Sequence, residues 1–122
     1  MKNVQTEKAP AAVGPYSQAI VSGDLVFVSG QLGIDEKGVF GADVKAQTEN
    51  AIKNVSEILA AAGSALANVV KTTCFLADMN DFAAFNEAYA AFFPQKPARS
   101  LIEAAALPKG SLVEIEAIAS QK

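Results

Sequence analysis

Apolar and polar residues alternate along the chain in two periods, which together lay out most of its elements. Tyr16–Val21 and Leu25–Ser29 read as strands, joined by a short glycine-containing loop at Ser22-Gly23-Asp24. In the second strand Leu25, Phe27 and Ser29 share one face and Val26 and Val28 the other. Ser29-Gly30-Gln31 interrupts that run, which resumes over Gln31–Ile34 before a turn at Asp35-Glu36-Lys37-Gly38. From Asp43 the period becomes helical: Val44, Ala51, Ile52, Val55, Ile58, Leu59 and Ala62 recur on one side, Asp43 suits the N-cap and Gly63 the C′ position. Lys45, Glu49, Lys53 and Glu57 form its solvated side. Val69–Ala77 is the next strand. A second helix follows, capped by Asn80 or Asp81 and ended by Pro94, with Phe82, Phe85, Tyr89, Phe92 and Phe93 at helical spacing as a core-facing stripe. Asn86 lies off the stripe and reads as an exposed polar position, within reach of a site at a subunit boundary. Residues 1 to 15 show little periodicity and read as an irregular lead-in marked by Pro10, Gly14 and Pro15.

Strands Pro97–Ala104 and Leu112–Ala119 complete the order: strands, helix, strand, helix, strands. That order predicts a single α+β domain over residues 1–122, one mixed β-sheet with two helices on one face. In the last strand Val113, Ile115, Ala117 and Ala119 would pack under the helices, leaving Glu114 and Glu116 together on the far face. Arg99, Leu101 and Glu103 share one side of their own strand. Two helices cover one sheet face, and the other still carries Leu112, Ile118 and Leu101. Self-association is the expected way to bury them, with the polar site at the boundary between copies.

Composition narrows the chemistry. With 10 Lys and Arg against 13 Asp and Glu, the net charge of −3 argues against a broad phosphate-binding surface. No apolar run approaches the roughly 20 residues of a membrane span, and no leader-like pattern opens the chain, so a soluble cytoplasmic protein is expected. Histidine is missing, which removes the usual general base and the commonest metal ligand. The lone Cys74 sits in a strand and reads as a packing thiol. Catalysis would then rest on carboxylates, hydroxyls, water and Arg99.

Arg99 is the chain's one arginine, inside an apolar strand-like run. A guanidinium cannot shed its charge, so partial burial calls for an anion: Glu103, Glu114, Glu116 or a small carboxylate ligand. An Arg99–Glu114 ion pair at an interface, with no further role, is the plainer alternative. Ser29-Gly30 has two readings as well, a simple bulge or a place where Gly30 lets a ligand approach the backbone while Ser29 offers a hydroxyl.

Gly14-Pro15-Tyr16-Ser17-Gln18-Ala19, Ser29-Gly30-Gln31, Asn50 through Leu59, Lys71-Thr72-Thr73 and, above all, Pro97-Ala98-Arg99-Ser100 followed by Leu107-Pro108 and Val113-Glu114-Ile115 closely resemble the Rid family of reactive-intermediate deaminases, also called the YjgF family. The resemblance runs nearly the full length. It implies a chorismate-mutase-like α+β fold, a homotrimer with three clefts between neighbours, and hydrolysis of 2-imino acids such as 2-iminobutanoate and 2-iminopropanoate, or their enamine tautomers, to 2-oxo acids and ammonia. No metal or organic cofactor is implied. The metabolic link would be to pyridoxal-phosphate-dependent serine and threonine dehydratases, which release such imines.

By the same resemblance Arg99 would hold the substrate carboxylate and Glu114 would position or activate water. Tyr16 and Ser29 would line the cleft, and Gly30 would admit the ligand. Many members carry cysteine where this chain has Leu101, whose backbone N–H remains available, and the segment Pro94-Gln95-Lys96 is short beside many relatives. RNA cleavage, known for some relatives, sits poorly with acidic charge and missing histidine. A non-catalytic carboxylate binder or a chaperone-like surface is a further alternative.

Overall fold

The structure, a computed structural model, describes all 122 residues. Six strands and two helices follow one another as β1 (Lys2–Val4), β2 (Ala19–Ser22), β3 (Leu25–Leu32), α1 (Val44–Ala61), β4 (Val69–Leu76), α2 (Phe82–Ala90), β5 (Ala98–Glu103) and β6 (Val113–Ser120). The strands form one mixed sheet in the order β1-β2-β3-β6-β4-β5. All neighbours are antiparallel except β4 and β5, the pair joined through α2. This is the α+β architecture expected, with both helices on one face.

The alternation in β6 sets the layers. Val113, Ile115, Ala117 and Ala119 are buried beneath the helices with Val26 and Val28 of β3 and Cys74 and Leu76 of β4. Ala51, Ile52, Val55, Ile58 and Leu59 of α1 and Phe85 and Tyr89 of α2 close the core from above. Helix α1 has the expected ends: Asp43 Oδ1 accepts from the Ala46 N–H at 2.8 Å, and Gly63 holds φ +80° just past the C-terminus.

Several boundaries differ from expectation, each for a local reason. The supposed lead-in contains β1, which pairs Lys2, Asn3 and Val4 with Val21, Ile20 and Ala19. Strand β2 begins at Ala19 because Gln18, three residues after a proline, turns its side chain back on the lead-in. Its amide accepts from the Thr6 N–H at 2.7 Å and donates to the Thr6 and Pro10 carbonyls. Strand β3 runs unbroken through Ser29-Gly30, where the register with β6 shifts between Val28 and Gln31: the interruption is a bulge. Neither Asn80 nor Asp81 caps α2 with its side chain. Asp78 accepts from the Asn80 N–H instead, capping a short turn that leads into the helix. Phe82 is 42% exposed and does not join the core stripe.

The open sheet face carries Phe27 and Leu25 of β3, opposite Ile118 and Ser120 of β6. Leu101 is not among its residues. It pairs with Cys74 on the helix side and packs against the core, as Leu112 also does.

Gly33, just beyond β3, lies against α1, where an added Cβ would stand 2.4 Å from Gln47 Cβ and 2.5 Å from its Cα. Gly33→Ala must therefore push the helix off the sheet and lower unfolding free energy by about 1–3 kcal/mol in denaturant titration, as overpacking does.

Candidate active site

A cleft of about 730 Å³ opens on the far side of the sheet from the helices, lined by Tyr16, Ser29, Gly30, Lys109, Glu114 and Glu116. Strand alternation puts Glu114 and Glu116 there together, two residues apart on β6. The β3 bulge brings Ser29 and Gly30 beside them, and the half-exposed Tyr16 comes from the loop before β2. Buried polar side chains of α1 pin the walls. Gln47 accepts from the Leu112 N–H and donates to the Gly41 carbonyl, and Asn54 donates to the carbonyls of Leu32 and Ile34. These amides lie on the inward side of a helix whose spacing advertised only its apolar residues. Their roles depend on segments far away in sequence.

Gly30 is required by the protein's own acid. A Cβ at that position would fall 2.0 Å from Glu114 Oε2 and 2.8 Å from Cδ, so the carboxyl lies directly on the glycine backbone. Glu114 makes no hydrogen bond within the chain and is half-buried. Desolvation, and then the like charge of Glu116, push its pKa above the ordinary glutamate value. Ser29 is also partly committed: its hydroxyl donates to the Ser17 carbonyl and its N–H to that of Gln18. Toward a ligand it has lone pairs to offer, which suits an N–H donor.

Arg99 is elsewhere. On β5 it pairs with Thr72 of β4, whose partner on β6 is Ala117, so it points to the helix side while Glu114 points to the open side. None of the three candidate carboxylates meets it within the chain: Glu114 and Glu116 face the other side of the sheet, and Glu103 accepts from the Met79 N–H at 2.7 Å. An Arg99 N–H donates to Asn86 Oδ1 at 2.8 Å, and the guanidinium carbon lies 4.9 Å from the Tyr89 ring centre and 5.7 Å from that of Phe85. Asn86, read from spacing as an exposed polar position within reach of a site at a subunit boundary, is half-buried against Arg99. The remaining guanidinium N–H groups have no partner in the chain, and none is sealed in, since no buried side-chain nitrogen or oxygen lacks a partner. Leu101, next on the same side of β5, is half-buried opposite Cys74. The Cys74 thiol is buried and pushed up to about 11 by that burial, a packing residue rather than a nucleophile. Nowhere do three His, Cys, Asp or Glu side chains converge as a metal site would need.

A family model described as Endoribonuclease L-PSP matches residues 6–121. The chain belongs to the YjgF/Rid family. Among YjgF/Rid relatives, Reactive Intermediate Deaminase A, chloroplastic, of Arabidopsis thaliana is 55% identical over 120 residues, covering 96% of this chain and 64% of that longer protein. The 2-iminobutanoate/2-iminopropanoate deaminase of Mus musculus is 50% identical over 123 residues, covering 98% of this chain and 91% of its own. The fold matches too: the structure of E. coli TdcF with bound serine aligns over 100% of both chains at TM-score 0.95 and 41% identity.

Replacing Glu116 with Gln removes the like charge beside Glu114 and lowers the Glu114 pKa toward the ordinary value, read by carbon-detected NMR titration of the side-chain carboxyl. Because the folded-state pKa is raised, the stability linked to protonated Glu114 is full below its unfolded value near 4.5 and lost as pH rises through the folded one. In the Glu116→Gln variant that loss comes at lower pH.

Proposed function

We propose that this YjgF/Rid protein is an enamine/imine deaminase, hydrolysing small 2-imino acids such as 2-iminobutanoate and 2-iminopropanoate to 2-oxo acids and ammonia in clefts shared between copies of the chain. The observation that carries this reading is the division of labour across the sheet. The one arginine presents unpaired donors on the helix side, whereas a carboxyl of raised pKa waits in a cleft on the open side. Within one chain they cannot grip the same small molecule. Stacking the open face of one copy against the β5 edge of the next would bring them together, which fits the homotrimer implied by the family resemblance and would cover Phe27 and Ile118.

In the composite cleft Arg99 holds the substrate carboxylate in a fork of charge-assisted hydrogen bonds. The protonated imine carbon is already electrophilic. Water adds to it, Glu114 takes a proton from that water, and the proton passes to the nitrogen. The C–N bond of the resulting N-protonated carbinolamine breaks with its electron pair leaving on ammonia, while the hydroxyl gives its proton to the Glu114 carboxylate and the O–H pair becomes the second C–O bond of the new carbonyl. Glu114 then passes that proton to the departing ammonia or to solvent. Ser29 Oγ, with only lone pairs free, suits the N–H of the imine, and Tyr16 and the Leu101 backbone complete the walls. The chemistry asks for no metal or organic cofactor. Imines of this kind are what pyridoxal-phosphate-dependent serine and threonine dehydratases release, so the connection to those enzymes is through substrate, in the cytoplasm, without a stable complex. The family description names RNA cleavage, but two carboxylates lining the cleft of an acidic chain repel a phosphodiester backbone.

A relative solved with bound serine favours one second reading, a non-catalytic binder of small carboxylates. Imine decay with and without the protein separates the two. The deaminase accelerates ammonia release from dehydratase-generated imine, Arg99→Ala abolishes the acceleration while the oligomer stays folded, and kcat/KM rises with pH through the Glu114 pKa. Binding of 2-oxo acid without acceleration would leave the binder, and an Arg99→Ala protein of undiminished accelerated rate would exclude the binder and overturn Arg99 as the carboxylate grip.

A further inference from the structure

A long side chain on an edge strand has no reason to hold still. Arg99 stands on β5, paired on one side only, and its stem has several rotatable bonds. Yet three residues of one α2 face converge on its head: Asn86 takes one N–H at 2.8 Å, and the rings of Phe85 and Tyr89 lie 5.7 and 4.9 Å from the guanidinium carbon. Tyr89 is itself fixed, its hydroxyl 2.7 Å from Thr72 Oγ1 on β4 and its ring 4.6 Å from that of Phe93. The rings bound the guanidinium from the side and the amide fixes its rotation, so the plane and the free N–H edge have set directions.

We infer that Asn86 is a positioning residue for Arg99, holding the guanidinium by a neutral acceptor so that its full charge and its remaining donors are kept for the carboxylate of a small ligand. The inference rests on the reading of Arg99 as the carboxylate grip. The choice of amide matters. A carboxylate at residue 86 would keep the hydrogen bond and hold the geometry, but it would also satisfy the cation within the chain and compete with any acid group brought to it. An apolar residue would leave the charge free and the head unfixed.

Two variants separate these effects, each checked first for native circular dichroism and oligomer size. Calorimetry with 2-oxobutanoate as probe is expected to show about tenfold weaker binding for Asn86→Ala, the usual scale for losing one hydrogen bond to a charged group. Asn86→Asp, nearly isosteric and still an acceptor, is expected to bind at least as weakly as Asn86→Ala. On imine substrate both variants raise KM more than they lower kcat. A purely structural role predicts that Asn86→Asp behaves as the parent protein, and that result overturns the proposal, as does unchanged affinity in both variants. If the parent protein binds 2-oxobutanoate but does not accelerate imine hydrolysis, the deaminase reading fails while the calorimetric comparison still judges Asn86. If Asn86→Ala does not fold, the isosteric Asp variant alone decides.

Discussion

Side-chain alternation along one central strand is the constraint on which the molecule depends. In β6 the odd positions from Val113 to Ala119 are small or branched apolar residues that seat both helices, and the even positions carry Glu114 and Glu116 out to the other side. A shift by one residue would exchange core and cleft at a stroke. Because β6 lies between β3 and β4, the same alternation passes to its neighbours, placing Phe27 and Phe75 with the acids and Cys74 and Thr72 with the core. The opposite placement of Arg99 follows from it by pairing through Thr72. A cation and an acid that look like obvious partners on paper are thereby kept apart by the thickness of a sheet.

Residues whose meaning is local were legible in the sequence, and residues whose meaning comes from distant pairing were not. Helix α1 could be read end to end because Asp43, a helical apolar period and Gly63 act within a few residues of one another. The inward and outward sets of β6 were equally plain. Strand β1 was invisible because three residues with one buried valine carry no period, and backbone pairing to β2 makes it a strand. For β5, the shared side of Arg99, Leu101 and Glu103 was readable, but the choice of side was not. An arginine on the helix face departs from the ordinary rule, and only the partners Thr72, Asn86 and Tyr89 reveal why it is tolerated.

The cleft shows the same limit. Ser29, Gly30 and Glu114 could each be singled out, and the structure does bring them together with Tyr16. Their relation was hidden. Gly30 reads as space for a ligand until β6 is laid alongside and the space proves to hold the Glu114 carboxyl. That contact helps to explain the electrostatics as well, since an acid pressed onto backbone without a donor loses water and gains no bond in exchange, which favours its neutral form. A raised pKa makes that carboxyl readier to take a proton than an ordinary glutamate.

Strand order also has a consequence for how the chain is made. β6 is translated after every strand it joins, yet it fills the gap between β3 and β4. Until residues 113–120 leave the ribosome, those two strands each present an unpaired edge and the helices lack half their floor. Earlier segments can form helix α1 and the β2–β3 hairpin, but the sheet closes only when its middle arrives, so assembly waits on β6, which inserts between elements made before it.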